Sequence, residues 1–276
     1  MKIIDTHLHL WDTARLQYPW LQELPQIQGA FLTEQYRAAT SGFEVDRMIF
    51  VQCECLPEEN VAEMELVMEQ AALDPRIAGM VAYAALEQGK SSLEPFSGKP
   101  FVKGIRRMYD DAPGICCSPL FLEAARALPL HGLSMDISAQ PHALADTARM
   151  IAQCPDTQFI LDHLGKPSIR DQKNDEFKRN MDMLAKFPNL CAKLSGLVTE
   201  AAWHRWNVEE IAPYVHHAIS CFGEDRLMFG GDWPVVLLAG SWDSWVKALQ
   251  AILADYPMAV QEKIWHGNAV HTYRMA

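Results

Sequence analysis

The chain has 276 residues, and its 24 Lys and Arg against 35 Asp and Glu give a net charge of −11. This acidic balance argues against binding to nucleic acids or to anionic membranes, because such binding depends on clustered positive charge. An apolar fraction of 49% with 21% charged residues excludes a disordered chain and is enough for a large core.

Short apolar segments alternate with helical patterns from one end of the chain to the other. Eight strands are predicted, at residues 2–6, 47–52, 79–84, 101–105, 134–137, 158–161, 190–194 and 227–229. Helices are predicted at residues 60–72, 120–128, 143–153, 175–187, 209–221 and 242–254. The strands are near-continuous apolar runs and not strict alternations, which is typical of a sheet buried on both faces.

Repeated units of a strand followed by a helix predict an α/β protein with a single (β/α)8 TIM barrel over residues 1–276. An open, doubly wound sheet is the alternative. The first strand is not followed by a Gly-x-Gly-x-x-Gly or phosphate-loop motif, which argues against that alternative. The aromatic, irregular residues 11–33 are expected over the C-terminal face of the barrel, and residues 88–100 are predicted to form a loop.

The candidate site consists of the polar residues at the strand ends, because active sites of such barrels lie at the C-terminal ends of the strands. These residues are Asp5, His7, His9, Gln52, Glu54, Arg106, Arg107, Gln140, His142, Asp162, His163, Lys193, Ser195 and Asp232. This concentration of titratable side chains at one barrel mouth predicts an enzyme.

Three histidines are candidate catalytic residues. His7 and His9 share one face of the first strand, since alternate residues of a strand point the same way. Two such imidazoles can share a metal ion or polarise a carbonyl oxygen. His163 follows the sixth strand and can bind a substrate oxygen or a metal. The alternative for all three is a structural, hydrogen-bonded histidine.

Asp232 is the candidate general base. It lies between a glycine pair and Trp233-Pro234 at the end of the eighth strand. Glycine lets the backbone approach a ligand closely, and a carboxylate at such a place can take a proton from water. The alternative is an aspartate that caps the next helix.

Six further residues are predicted to bind the substrate: Arg106, Lys193, Gln52, Glu54, Trp11 and Trp233. The two cations can neutralise a carboxylate or an oxyanion, with a salt bridge at the barrel rim as the alternative. The glutamine and the glutamate can bond hydroxyl groups, and the two tryptophans can form a pocket wall.

The cysteines and the first residues of the chain indicate the cellular compartment in which the protein is expected. Seven cysteines without a Cys-x-x-Cys pair fit a reducing compartment, and Cys53, Cys154, Cys191 and Cys221 are interpreted as core residues because their sequence neighbours are apolar. Residues 1–5 lack a signal-peptide pattern, and no apolar run approaches the ~18 residues that span a bilayer. A cytoplasmic protein is expected, without nucleic-acid or membrane partners, as a monomer or a homo-oligomer.

Six segments carry a family resemblance. They are Asp-Thr-His-Leu-His-Leu-Trp (5–11) with Tyr-Pro-Trp (18–20), Val-Lys-Gly-Ile-Arg (102–106), Ile-Leu-Asp-His-Leu-Gly-Lys-Pro (160–167), Lys-Leu-Ser-Gly-Leu (193–197), Asp-Arg-Leu-Met-Phe-Gly-Gly-Asp-Trp-Pro-Val (225–235) and Gly-Asn-Ala (267–269). Together they resemble amidohydrolase-superfamily proteins of the sugar-lactonase branch. That branch includes L-fuconolactonase, L-rhamnono-lactonase and, more distantly, 2-pyrone-4,6-dicarboxylate lactonase. The resemblance covers essentially the whole chain.

The resemblance implies a distorted barrel that hydrolyses the ester bond of a lactone. His7 and His9 match the histidine pair of the first strand, and His163 matches the sixth-strand histidine. Asp232 matches the aspartate that activates water, and Arg106 matches the arginine of the Gly-Ile-Arg segment.

The substrate class and three other functions are also considered. Gln140 stands where related proteins often carry a basic residue, which favours a neutral sugar (aldono) lactone over an acidic one. The other functions are a metal-dependent decarboxylase of the same superfamily, an amidase, and a binding protein that has lost activity. The intact set of three histidines and Asp232 argues against the last of these.

The metal requirement has two alternatives. The fifth strand has no histidine at its tip, so the resemblance does not imply a two-metal site. One divalent ion, with zinc the first choice, could be held by His7, His9 and Asp232, or by His163 as the third ligand. The other alternative is that no cofactor is required. A lactone carbonyl is already a good electrophile, so the metal-free mechanism is favoured.

Overall fold

The chain forms a barrel of parallel strands inside a ring of helices in the computed structural model, which describes residues 1–275. The strands there are β1 (Ile3–Leu8), β2 (Trp11–Asp12), β3 (Ala30–Phe31), β4 (Val45–Val51), β5 (Ile77–Ala82), β6 (Val102–Arg106), β7 (Ser134–Ile137), β8 (Phe159–Leu161), β9 (Leu190–Leu194) and β10 (Leu227–Phe229). The helices there are α1 (Thr33–Ala39), α2 (Asn60–Leu73), α3 (Pro119–Ala127), α4 (Leu144–Gln153), α5 (Asn174–Leu184), α6 (Leu197–Glu200), α7 (Val208–Phe222), α8 (Trp242–Leu253), α9 (Met258–Glu262) and α10 (Asn268–Thr272).

One eight-stranded sheet contains β1 and β4 to β10 in chain order, with every neighbouring pair parallel. The predicted strands are confirmed to within two residues at each end. Every residue of β1 and of β7 to β10 is buried, as expected for a sheet covered on both faces. A doubly wound sheet would reverse its strand order at a switch point, so the open-sheet alternative is wrong and the (β/α)8 barrel is confirmed.

The barrel closes irregularly between β10 and β1. Only one bridge, from Leu8 to Trp233, links these ends within the described chain. The Thr6 hydroxyl donates to the carbonyl of Phe229 at 2.6 Å, and the amide of Asp232 donates to the carbonyl of His7 at 2.8 Å. These single contacts replace a regular ladder, and they tie the candidate base directly to the first histidine.

The buried Asp5 carboxylate holds this seam together. It accepts the amide of Gly231 at 2.7 Å, the indole N–H of Trp242 at 2.9 Å and the hydroxyl of Tyr36 at 2.7 Å. A Cβ atom at residue 231 would collide with both Asp5 and Trp242. The second glycine of the pair is therefore required by the packing of the seam.

Two segments differ from the predictions. Residues 11–33 are not wholly irregular, because β2 and β3 pair antiparallel there, and α1 follows them. Residues 88–100 contain a 3-10 helix, Lys90–Phe96, where a loop was predicted. In this part of the chain that helix takes the place of an outer α-helix between β5 and β6, and a cavity of about 1060 Å³ opens there beside α2.

The cysteine prediction holds for three residues and is wrong for one. Cys53, Cys154 and Cys191 are buried, whereas Cys221 is half-exposed on α7 and faces α5. Apolar sequence neighbours do not bury a helical residue whose own side of the helix points outward. All seven thiols are free. Within residues 1–275 no helix is both long and apolar enough to cross a membrane.

Candidate active site

Four predicted catalytic side chains meet at the C-terminal mouth of the barrel. The rings of His7 and His9 lie edge to face with centroids 4.8 Å apart, and the ring of His163 is 4.4 Å from that of His7. The Asp232 Oδ1 atom lies 3.6 Å from Nε2 of His9 and 3.8 Å from Nε2 of His7. All four side chains are almost completely shielded from solvent.

The backbone at the strand ends is strained. Glu54, His163 and Asp232 have φ values of 54°, 54° and 53°, in the left-handed region that non-glycine residues rarely adopt. Each such residue costs on the order of 1–3 kcal/mol, and this kind of strain is concentrated at functional sites. Gly196, with φ at 62°, lies so close that a Cβ atom there would collide with the His163 ring.

A scaffold contact holds the Nδ1 atom of each imidazole. In His9 this atom donates to the carbonyl of Val51 at 2.8 Å, and in His163 it lies 2.9 Å from the Ser195 hydroxyl. Because a carbonyl only accepts, the proton of a neutral His9 is on Nδ1. The Nε2 atoms are thereby left free for a ligand.

Lys193 makes the corresponding contact to His7 from inside the barrel. Its ammonium lies 2.5 Å from Asp136 Oδ2, 3.0 Å from Asp162 Oδ1 and 3.2 Å from Nδ1 of His7. Donation from the ammonium makes Nδ1 of His7 an acceptor, with the ring proton on Nε2 facing Asp232. Asp162 Oδ1 lies 3.3 Å from the same Nδ1 and stabilises the other tautomer. The Tyr273 hydroxyl completes the cluster by donating to Asp136 at 2.7 Å.

The shifted pKa values of the site determine which of its side chains are charged at neutral pH. Burial lowers the pKa of His163 to about 4, and it lowers the pKa of His7 well below its usual value. Burial alone would raise the pKa of Asp232, but the neighbouring His163, His9 and His7 hold it at about 2. At neutral pH the Asp232 carboxylate is therefore ionised while His7 and His163 are neutral.

The pKa values of Asp136 and Asp162, the two aspartates beneath the site, are shifted in opposite directions. Burial raises the pKa of Asp136 to about 6, although the Lys193 ammonium opposes this shift. Burial would also raise the pKa of Asp162, but Lys193, His7 and Arg106 together hold it well below its usual value. Asp162 is thus the firmly ionised partner of the buried ammonium.

The donor atoms at the mouth fit a divalent metal ion. One ligand atom each from His7, His163 and Asp232 lies within 4.8 Å of the others, and the buried Nε2 atom of His7 has no hydrogen-bond partner among residues 1–275. Two imidazoles and one carboxylate are a typical set for zinc with an open fourth position. In this set His163 takes the place that the sequence analysis gave first to His9.

Of the six residues predicted to bind substrate, three lie beside the mouth and three lie in the interior. Arg106 is buried, donates to the carbonyl of Gln52 and lies 3.5 Å from Asp162, and its Nε atom is unpartnered within the described chain. The Gln52 side chain bonds to Glu54, which is half-exposed at the mouth.

Three of these residues face the interior instead, which corrects their predicted direct contact with substrate. The Trp11 indole donates to the carbonyl of Ile27, and Trp233 packs on Tyr36 at a centroid distance of 5.5 Å. Both tryptophans and Lys193 are fully buried. Aromatic packing at the seam and pairing with two carboxylates explain their positions, since a buried charge needs partners.

Sequence reasoning gave no role to several residues that shape the site. Asp162 and Ser195 were recognisable only as polar strand ends, and Asp136 lies inside a predicted strand. Lys166 and Glu200 also interact with the charges of the site. Burial raises the pKa of Glu200, the Asp232 carboxylate raises it further, and the Lys166 ammonium opposes the shift.

Comparison with known proteins extends over the whole chain. A family model described as amidohydrolase matches residues 4–275. The chain is 28% identical to the L-fucono-1,5-lactonase of Burkholderia ambifaria, over 99% of this chain and 95% of the relative. It is 21% identical to the L-rhamnono-gamma-lactonase of Scheffersomyces stipitis, over 99% of each. The structure of an amidohydrolase from Burkholderia multivorans with bound zinc is similar with a TM-score of 0.90, at 26% identity over 100% of both chains.

Proposed function

Because the chain belongs to the amidohydrolase family, with a match over residues 4–275, we propose that it is a lactone hydrolase that acts on a sugar lactone. The observation that carries the proposal is an ionised Asp232 whose Oδ1 atom lies within 4 Å of two imidazole Nε2 atoms in a nearly closed barrel mouth. The similarity to proteins named L-fucono-1,5-lactonase and L-rhamnono-gamma-lactonase supports the same reaction class.

Asp232 acts as the proton acceptor. Its carboxylate takes a proton from water as the water oxygen forms a bond to the lactone carbonyl carbon. A carboxylate with a pKa of about 2 is a weak base, so proton transfer accompanies this bond formation and does not precede it. When the ring C–O bond breaks, the neutral carboxyl group returns the proton to the leaving alkoxide.

His7 and His163 stabilise the oxyanion that forms on the carbonyl oxygen. The contact from Lys193 leaves the proton of His7 on Nε2, where it can be donated to this oxygen. The Ser195 hydroxyl can donate to Nδ1 of His163, which gives the second imidazole the same tautomer. Burial keeps both rings neutral, so neither forms an ion pair that would neutralise the base.

The same donors can hold a divalent ion such as zinc, through His7, His163 and Asp232. When bound, such an ion would supply Lewis-acid polarisation of the lactone carbonyl. Ligation through Nε2 requires the His7 proton to move to Nδ1, which then faces Asp162 Oδ1 at 3.3 Å. The buried cluster can accommodate either tautomer.

The substrate contacts are assigned to polar groups beside the mouth that keep free hydrogen-bonding capacity. The free Nε–H of Arg106 and the Glu54 carboxylate can bond lactone oxygens and sugar hydroxyls. Gln140 adds a neutral group to the rim, which suits an uncharged aldonolactone better than a dicarboxylate.

The proposal is tested with a panel of aldonolactones of both ring sizes, in which a pH indicator follows acid release. We expect hydrolysis of at least one member by the wild-type protein, with and without chelator, and not by Asp232→Asn. Release of carbon dioxide from aromatic acids, with no lactone hydrolysed, would instead indicate the decarboxylase alternative.

A further inference from the structure

A second cluster of metal-ligating side chains lies on the outside of the barrel, between α5 and α7. It consists of Asp182 on α5 and of His217 and Cys221 on α7. His217 and Cys221 are four residues apart, so they project from the same side of the helix toward the neighbouring one. Cys221 is the thiol that sequence reasoning assigned to the core.

The three ligand atoms converge on one point. The Cys221 Sγ atom lies 3.1 Å from Asp182 Oδ1 and 3.2 Å from Nε2 of His217, and Nε2 lies 3.1 Å from the same oxygen. Bonds of ~2.0–2.3 Å from a tetrahedral zinc ion place pairs of ligand atoms ~3.3–3.6 Å apart. The triangle therefore needs to open by only a few tenths of an ångström to take an ion.

The contacts are those of a metal site and not of a catalytic triad. In a Cys-His-Asp triad the thiol and the carboxylate contact opposite nitrogens of the imidazole, so that one orients the ring for the other. Here both contact the same nitrogen, Nε2 of His217. The sulfur, the nitrogen and the oxygen are thus mutual neighbours, and a single cation can bridge them once the thiol proton that now bonds to Asp182 is released.

The surroundings hold the ligands in place and leave room for an ion to enter. The ring of Phe177 packs edge to face on that of His217 with centroids 5.9 Å apart, which limits its rotation. The Asp182 side chain is 59% exposed and that of His217 is 21% exposed, so solvent reaches the cluster and can supply a fourth ligand.

We propose that Asp182, His217 and Cys221 form a surface site for a zinc ion that fastens α5 to α7. A thiolate and an imidazole select a borderline-soft divalent ion over magnesium or calcium, which prefer oxygen ligands. On binding, the Cys221 thiol releases its proton to solvent and the sulfur becomes the ligand. The proposal is independent of the lactonase assignment, because no residue of the barrel mouth takes part.

The test uses cobalt(II) as a spectroscopic substitute for zinc in chelator-treated, reduced full-length protein. We expect a thiolate-to-cobalt charge-transfer band in the near ultraviolet that added zinc abolishes. The band should be lost in Cys221→Ser and in His217→Ala. Matched controls are Cys117→Ser, another half-exposed thiol, and His216→Ala, the neighbour that bonds to Tyr256; both should keep the band.

Thermal unfolding provides a second measurement. Zinc at ~100 times its Kd should raise the Tm of the wild type by about 5 °C more than that of Cys221→Ser. Any zinc bound at the barrel mouth contributes equally to both proteins and cancels. All four variants should keep the wild-type circular dichroism spectrum, which verifies that they are folded. Absence of the band, or its persistence in Cys221→Ser, would overturn the proposal.

Discussion

The ammonium of Lys193 lies 3.2 Å from Nδ1 of His7, in a pocket closed to solvent, and so favours the tautomer with the His7 proton on Nε2. Its other two donors face Asp136 and Asp162. A fully buried residue thereby biases the hydrogen-bonding capacity of His7, the proposed oxyanion donor. We regard Lys193 as a positioning residue.

Lys193→Met tests this relationship. Without the ammonium, the His7 proton can move to Nδ1 and face Asp162, and one oxyanion donor is lost. We expect kcat to fall by ~10²-fold, the scale of losing such a donor, with little change in KM. Nitrogen-15 NMR of the His7 ring should show the change of tautomer. Two buried carboxylates also lose their partner, so the free energy of unfolding should fall by about 3–5 kcal/mol.

Tyr273→Phe is the control for this change. It removes the 2.7 Å hydrogen bond to Asp136 but leaves the contact between Lys193 and His7 in place. We expect a loss of about 1–3 kcal/mol of stability, because one lone pair of a buried acceptor loses its donor, with a nearly unchanged kcat. A folded Lys193→Met protein with wild-type kcat would contradict the positioning role.

Asp232→Asn removes the proposed base while keeping its shape. Asparagine also tolerates the left-handed backbone conformation of this residue, whose φ is 53°. We therefore expect a folded protein whose turnover is at least ~10²-fold lower, the scale of losing a general base. Circular dichroism and steady-state kinetics check the two parts. Substantial activity in the folded variant would rule out Asp232 as the proton acceptor.

His163→Ala and Arg106→Ala should lower activity for different reasons. The imidazole is assigned to the oxyanion, so its loss should lower kcat by ~10²-fold. The guanidinium is assigned to substrate binding, so its loss should mainly raise KM, by about 10-fold. His271→Ala, which removes an exposed histidine on α10, serves as the unaffected control. A pure KM effect in His163→Ala would move that residue to the substrate-binding group.

The pH dependence of kcat/KM follows from the two shifted pKa values. Asp232 works when ionised, and its pKa of about 2 keeps it ionised through the mildly acidic range. His163, with a pKa of about 4, gains its proton first on acidification and then pairs with the base. We expect constant kcat/KM between pH values of about 8 and 5, and a decline below about 4. A decline centred at pH 6 or above would show that a group other than Asp232 and His163 controls the reaction.

The barrel and the core of the site could be predicted because both depend on local sequence. Most barrel strands are largely apolar segments, and the catalytic candidates lie within β1 or at most three residues after β1, β8 or β10. The link from Tyr273 to Asp136 could not be predicted, since it joins residues 137 positions apart and has no periodic pattern. The burial of Trp233 was missed for a related reason, because it depends on aromatic packing across the irregular seam.

Removal of metal separates the two mechanisms that the site can support. Asp232 cannot act as a freely titrating base while it is bound to an ion, so its two roles compete. The Nε2–H donor that Lys193 provides on His7, together with the inherent reactivity of a lactone carbonyl, favours direct base catalysis. The test uses Cys221→Ser, which lacks the proposed surface site, so that elemental analysis after chelator treatment reports on metal at the barrel mouth. We expect this metal-free protein to keep at least half of its lactonase rate. Near-complete loss of activity, restored by zinc or manganese, would instead assign His7, His163 and Asp232 as ligands of a required ion.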